Sequence, residues 1–181
     1  MNEGLIPKRY AKAIYEVAAQ KGVQQRIYNL MNNLAHAFEI QPDIQKALAN
    51  PFVAPQDKKK LILTAAQATS DDTEFNNFLT LLQNNNRFAS ARAIALAYLE
   101  TFRNLNNIKV VKVCTAAPLD PEEEKRLKKI IASHLGNATM EYSTQVNPEL
   151  IGGFTVQSGN ERLDASVANE LKQLRLNLIS K

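Results

Sequence analysis

The arrangement in this chain closest to a phosphate cradle is the glycine-containing segment from Gly152-Gly153 to Gly159, which lies ahead of an amphipathic stretch. A phosphate loop needs glycines at set spacing, so that backbone N–H groups face the ligand, and then Lys-Ser or Lys-Thr as the helix opens. Here the glycines are wrongly spaced and Asn160-Glu161 follows Gly159, so nucleotide binding is disfavoured. The 2 histidines, His36 and His134, are far apart in sequence. His36, beside Ala35, Ala37 and Phe38, reads as a packing or surface residue rather than a base. No His, Cys, Asp and Glu set has the spacing of metal ligands. The acids Asp71-Asp72 and Glu122-Glu123-Glu124 stand at expected helix starts, where the macrodipole accounts for them. Cys114 is the sole cysteine. It has no internal disulfide partner, and within Ile108–Thr115 it reads as a small buried hydrophobe in a strand. The residues imply no catalysis, no cofactor and no metal; what remains is binding.

Composition supports folded, soluble domains. The chain has 181 residues, 45% of them hydrophobic, enough for one domain or two small ones. Its apolar runs fall far short of the roughly 20 residues that cross a bilayer, and its start lacks a basic-then-apolar leader. Direct membrane insertion and export are not expected. The net charge of +4 is dispersed, with 12 basic and 9 acidic residues in 1–105 and 10 and 9 in 106–181. Lys58-Lys59-Lys60 follows Asp57, and Lys125-Arg126 with Lys128-Lys129 follows Glu122-Glu123-Glu124. Such mixed clusters suit solvated helix faces, whereas nucleic-acid binding calls for concentrated positive charge interleaved with aromatics. No nucleic-acid partner is expected.

Periodicity divides the chain in two. Through residues 1–105 it is helical: Leu5–Lys21, a break at Gly22, Gln24–Ile40, a short helix from Pro42 to Asn50-Pro51, a fourth from Pro55, a fifth capped at Ser70-Asp71-Asp72, and a sixth released by Asn84-Asn85-Asn86 and running to Leu105. Short connections predict a six-helix bundle of mostly antiparallel neighbours. From 106 the pattern changes to a small α/β module, with a linker near Leu105–Ile108. Ile108–Thr115 reads as a strand, Pro121–Leu135 as a helix capped by Asp120, and Thr139–Val146 as a second strand. Leu150–Val156, bounded by Asn147-Pro148 and Ser158-Gly159-Asn160, reads as a third strand. The last helix is capped by Asp164 or Ser166 and carries Val167, Leu171, Leu174 and Leu178 on one face. The expected fold is mainly α, a bundle followed by a small α/β domain.

The first helix has more apolar surface than its own core requires. Lys8, Lys12, Glu16 and Gln20 recur every fourth position and, with Arg9, confine polarity to one stripe. The remaining arc covers roughly 200° of the wheel, where about 100° serves a helix with one buried face. Ala11, Ile14 and Ala18 account for one half; Ile6, Tyr10, Ala13 and Val17 form the other. The fifth helix is similarly rich in Phe75, Phe78, Leu79, Leu81 and Leu82. Side by side, the two either make a groove for an amphipathic helix or are simply central in the bundle.

Three stretches resemble one family. Pro148, Leu150-Ile151-Gly152-Gly153-Phe154, Asp164, Ser166, Leu171 and Leu174 are similar to the C-terminal signature of the delta subunit of F-type ATP synthase, whose mitochondrial relative is the oligomycin-sensitivity-conferring protein. Pro7-Lys8-Arg9-Tyr10-Ala11-Lys12-Ala13-Ile14-Tyr15 resembles that family's first helix, and Asn77-Phe78-Leu79 through Asn86-Arg87-Phe88 its fifth helix and following turn. The chain departs from the pattern at Ala168-Asn169-Glu170, where a basic and small pair is common. The resemblance implies a non-catalytic stator subunit. Its first and fifth helices would hold the N-terminal helix of an alpha subunit through Ile6, Tyr10, Ala13, Val17, Asn77, Phe78 and Leu81. Its C-terminal module, with Gly152, Gly153, Asp164 and Ser166, would join the b subunits of the peripheral stalk. It implies a peripheral place on the cytoplasmic face of the bacterial cell membrane, with proton or sodium flow as the driving force. The competing reading is a helical RNA-binding or transcription-factor module with a regulatory tail.

Overall fold

The first helix, α1 (Leu5–Lys21), ends where Gly22 takes φ +68°, a conformation that leaves the helix without a Cβ penalty. The structure, a computed structural model, describes residues 5–159 and 161–179. After the glycine come α2 (Gln24–Ile40), α3 (Asp43–Ala49), α4 (Pro55–Ala66), α5 (Thr73–Asn84) and α6 (Ala91–Leu105). Pro55 starts α4 at a position whose N–H needs no partner, and Gln67 in the left-handed region closes it. The sixth helix begins later than its sequence signal: the asparagine turn is followed by a 3-10 turn over Phe88–Ser90, and the α-helix proper starts at Ala91. These elements form one compact unit, Met1–Leu105. Its core brings Ala11, Ile14 and Ala18 of α1, Leu30, Met31 and Leu34 of α2 and Phe75, Leu79 and Leu82 of α5 together with Ile94, Tyr98 and Phe102 of α6. The stacked pair Tyr28–Phe102, with ring centroids 4.3 Å apart, locks α2 to α6.

The second compact unit, Asn106–Lys181, is built on one mixed sheet. Its strands β1 (Ile108–Thr115), β2 (Thr139–Val146), β3 (Gly153–Ser158) and β4 (Glu161–Ser166) lie in the order β2-β1-β3-β4. Parallel β1 and β2 are joined by α7 (Pro121–Leu135), and the other pairings are antiparallel. Pro121 occupies the first turn of α7, and the Glu123 carboxylate accepts the Asp120 backbone N–H at 3.2 Å, the returning half of a capping box. Leu127 and Ile131 of α7 pack on Val111 and Val113. The last described element is α8 (Val167–Ile179). The described residues are thus mainly helical, with a small four-stranded sheet towards the C-terminus.

Three expectations need correction. The strand placed at Leu150–Val156 runs instead from Gly153 to Ser158: Pro148–Leu150 forms a 3-10 turn in which the Asn147 side chain accepts Glu149 N–H at 3.0 Å, and Ile151 sits at φ +65°. Asn160, assigned to the turn beyond that strand, lies outside the described residues. Glu161–Ser166, from which only Asp164 and Ser166 were singled out as caps of the last helix, is a strand in which Arg162, Asp164 and Ser166 alternate with Leu163 and Ala165. Cys114 is half-buried rather than enclosed, because Val111 and Val113 on the opposite face of β1 meet α7.

Candidate functional site

Along the antiparallel pair α1 and α5 runs a groove made of two adjoining depressions. One, of about 360 Å³, is lined by Ile6, Arg9, Tyr10 and Ala13 of α1, by Leu81 of α5 and by Arg87 just beyond it. The other, of about 190 Å³, is lined by Ala13, Ile14 and Val17 with Glu74, Asn77, Phe78 and Leu81. Ala13 and Leu81 belong to both, so the depressions are continuous. All seven groove residues named from sequence, Ile6, Tyr10, Ala13, Val17, Asn77, Phe78 and Leu81, therefore meet in one place. The divided apolar arc explains how. Ala11, Ile14 and Ala18 are buried against the unit's own core, while Val17 and Leu81 remain 42% and 46% exposed. A small residue at Ala13 leaves the floor open to a close backbone approach.

The start of α5 is fixed by a contact that sequence reading did not find. Arg26 on α2 donates from Nε and Nη2 to the two carboxylate oxygens of Asp72 at 2.7 and 2.8 Å. The same carboxylate accepts the Thr69 N–H at 2.8 Å and the Thr69 hydroxyl at 3.1 Å. Asp72 was expected to cap α5. It holds the N-cap position, but its side chain makes no capping bond and instead ties the α4–α5 loop to α2. The Arg26 guanidinium, chief among these donors, lowers the Asp72 carboxyl from 3.8 to about 2 although burial opposes it. No local signal pairs residues 46 apart in sequence, so this clamp is visible only once the helices are placed.

In the α/β unit, Gly152, Gly153, Asp164 and Ser166 meet where β3, β4 and α8 join. A Cβ on Gly153 would lie 2.1 Å from the Ala165 carbonyl oxygen, and its φ is +72°; a Cβ on Gly152 would come within 2.8 Å of Val167 Cγ2. Both glycines therefore serve close internal packing. The two candidates for the helix cap divide the work. Ser166 Oγ accepts the Asn169 N–H at 3.2 Å and caps α8, whereas Asp164 Oδ1 accepts the Ser166 hydroxyl at 2.6 Å and its N–H at 3.2 Å. That hydroxyl, aided by Arg162, lowers the Asp164 carboxyl below its usual range. Ser166 is buried and Asp164 half-buried, so these residues shape the joint and leave its surface to others. That surface is α8, which buries no residue: Val167, Leu171, Leu174 and Leu178 form its apolar stripe at 37%, 52%, 56% and 70% exposure. Ile151 and Leu163 are also exposed.

His36 and His134 are both exposed, and they lie in different units. Among the described residues, no group of His, Cys, Asp and Glu is placed to hold a metal ion, and no helix is long and apolar enough to cross a membrane.

The relatives of this chain agree over its length. An "ATP synthase subunit delta" of Bacteroides thetaiotaomicron is 41% identical, with 100% of this chain and 97% of the relative aligned. One of Flavobacterium johnsoniae is 33% identical over 94% of each. Among solved structures, a chain of the Toxoplasma gondii mitochondrial ATP synthase hexamer shares the fold at a TM-score of 0.65 and 21% identity, with 96% of this chain and 97% of that one covered. None of these relationships supports the RNA-binding or transcription-factor reading. Residues 6–178 match the family described as "ATP synthase delta (OSCP) subunit", and the chain belongs to that family.

Proposed function

We propose that the chain is the non-catalytic stator joint of an F-type ATP synthase, with a different partner on each unit. Residues 1–105, acting as a six-helix bundle, hold the N-terminal helix of an alpha subunit in the α1–α5 groove. Residues 106–181 hold the b subunits of the peripheral stalk along α8. The protein then lies peripherally on the cytoplasmic face of the bacterial membrane and keeps the catalytic head from turning with the rotor. Ion flow is converted into ATP synthesis only while both attachments resist that torque.

The observation that carries this reading is that each unit leaves an apolar helical surface uncovered, although each has a core of its own. Nanomolar attachment corresponds to about 12 kcal/mol, which a handful of desolvated apolar anchors supply better than a weak, dispersed net charge. Ala13→Trp fills the groove floor from an exposed position, so it weakens an alpha-subunit N-terminal peptide without unfolding the helices. Equal loss of melting temperature and of binding would instead return Ala13 to the core.

The decisive experiment ends the chain after Ser166. That cut removes α8 and spares all four strands, whereas a cut after Asn147 would take β3 and β4 as well. Heads carrying the shortened protein are expected to hydrolyse ATP freely, while membranes carrying it fail in ion-driven synthesis. Normal synthesis, with circular dichroism showing the shortened chain folded, would refute the stator role of this unit.

A further inference from the structure

The two ends of the groove carry opposite charge. Arg9 and Arg87 line the end at Ile6 and Tyr10, whereas Glu74 lines the end at Val17, and the middle, at Ala13 and Leu81, is uncharged. Two nearby pairs are made within the unit: Lys12 with Glu16 at 3.8 Å, and Asp72 with Arg26 at 2.7 Å. Among the described residues, Arg9, Arg87 and Glu74 enter no ion pair. Arg9 and Arg87 are exposed, and Glu74 is half-buried beside the apolar wall of Phe78.

We propose that these charges fix the direction in which a helix docks: the partner lays acidic residues of its first turn against Arg9 and Arg87, and a basic residue further along against Glu74. The inference rests on the alpha-subunit reading of the groove and adds the charge pattern and polarity of its occupant. From Arg9 to Val17 the groove extends about 12 Å at ~1.5 Å per helical residue, so the two charged positions are a little over two turns apart with apolar residues between them. The order follows from the occupant's own stability. Acids in a first turn and bases in a last turn complement the helix dipole, and the reverse order opposes it. A sequence that satisfies both ends of the groove and also forms a helix therefore runs parallel to α1 and antiparallel to α5. A wrongly polarised helix would bring like charges together at both ends.

The test uses the full chain and a 20-residue peptide from the N-terminus of the same cell's alpha subunit, with a second peptide in which its acidic and basic residues are exchanged. Calorimetry at low salt should show the native peptide bound more tightly than the exchanged one, by roughly three- to tenfold as expected for two ion pairs at a rim. R9E combined with R87E should reverse that preference. A nitroxide on the native peptide's first residue should broaden the amide resonances of Arg9 and Arg87 more strongly than those of Glu74 and Val17. Equal affinities for the two peptides, an unchanged preference in the double variant, or stronger broadening at the Glu74 end would overturn the proposed polarity while leaving the groove as the binding site. Absence of native-peptide binding at tens of micromolar would remove the groove reading itself.

Discussion

The helical unit and the α/β unit differ in how much of their apolar surface they enclose. In Met1–Leu105, residues of α1, α2, α5 and α6 are buried down to a few per cent, and the apolar side chains left outside are those along the groove together with separate ones such as Ile40, Phe52 and Leu96. In Asn106–Lys181 the enclosed apolar cluster is Val111, Val113, Leu127 and Ile131, and no residue of α8 is buried. Helix-on-helix packing lets one element contribute to several contacts, as α6 does toward α1 and α2. A four-stranded sheet covered by α7 on one face has no comparable reserve. The first unit is therefore a packed scaffold with a groove on its surface. The second relies on backbone geometry where β3, β4 and α8 join and leaves the apolar stripe of α8 exposed.

The sharpest way to break this contrast is Gly153→Val. The new side chain meets a backbone oxygen, which no rotamer change relieves, at a φ that L-residues avoid. Backbone strain of this kind costs about 1–3 kcal/mol and the clash with the Ala165 oxygen adds to it, while a small unit has only about 0.05–0.15 kcal/mol per residue to lose. Amide exchange should show protection lost from Val111 to Thr115 but kept at Leu30 and Tyr98. Loss in both units would show that they unfold as one and that the contrast fails.

The next largest effect falls on the helical unit and depends on pH. The folded state depresses the Asp72 carboxyl to about 2 from its ordinary 3.8. The associated stability is fully present above about pH 4 and is lost as the pH falls toward 2. It amounts to about 1–2 kcal/mol after allowing for solvent around Arg26, whose side chain is 46% exposed. Thermal melts of the isolated region 1–105 should fall over that window in the wild type. Asp72→Asn should melt lower at neutral pH and show a flatter acid limb; identical acid limbs would remove the clamp from the account of α5.

Which of these features could be read from sequence follows a physical line. Leu5–Lys21, Gln24–Ile40, Ile108–Thr115, Pro121–Leu135 and Thr139–Val146 emerge with the bounds read from their periodicity and caps, because each signal is local. On α1 the wide apolar arc left a groove and a central place in the bundle equally open, and the resemblance chose between them and supplied Asn77, Phe78 and Leu81. Of the apolar residues of α5, Phe75, Phe78, Leu79 and Leu82 are buried and Leu81 alone is exposed. The Arg26–Asp72 clamp joins residues distant in sequence and had no such signal. Strand β4 was missed although Arg162, Asp164 and Ser166 alternate with Leu163 and Ala165: the run is short, its apolar Leu163 is 60% exposed, and Asp164 and Ser166 also read as caps of the last helix. Its order comes from pairing with β3, a tertiary cause. The Gly152-Gly153 motif was recognised, but the contacts that require it depend on that same missing strand.

A smaller effect tests the joint. Ser166→Ala removes the hydroxyl that accepts Asn169 N–H and donates to Asp164, at a buried position. Loss of an N-cap of this type costs about 1 kcal/mol. Because no residue of α8 is buried, little packing compensates, and the loss should appear as fraying of that helix in backbone chemical shifts, with β1 and α7 unaffected. Unchanged shifts through Val167–Leu171 would mean that other contacts hold the helix start.

The smallest expected effect on the isolated protein is the most informative for the assembly. Leu174 is 56% exposed in the middle of the α8 stripe, between Leu171 and Leu178. If that stripe belonged to the unit's own core, Leu174→Glu would cost several kcal/mol, as core disruption does. In the structure Leu174 is more exposed than covered, so the melting free energy should stay within about 0.5 kcal/mol of wild type. Against purified b subunits the same change places a carboxylate in an apolar interface, where the loss of an anchor lowers affinity about tenfold or more. The contrast with Gly153→Val is then complete: one position carries the unit's fold and the other its attachment. Calorimetry with the b subunits and thermal melts of the free chain measure the two quantities separately. A large stability loss would place α8 in the fold, and unchanged affinity would move the stalk contact off this stripe.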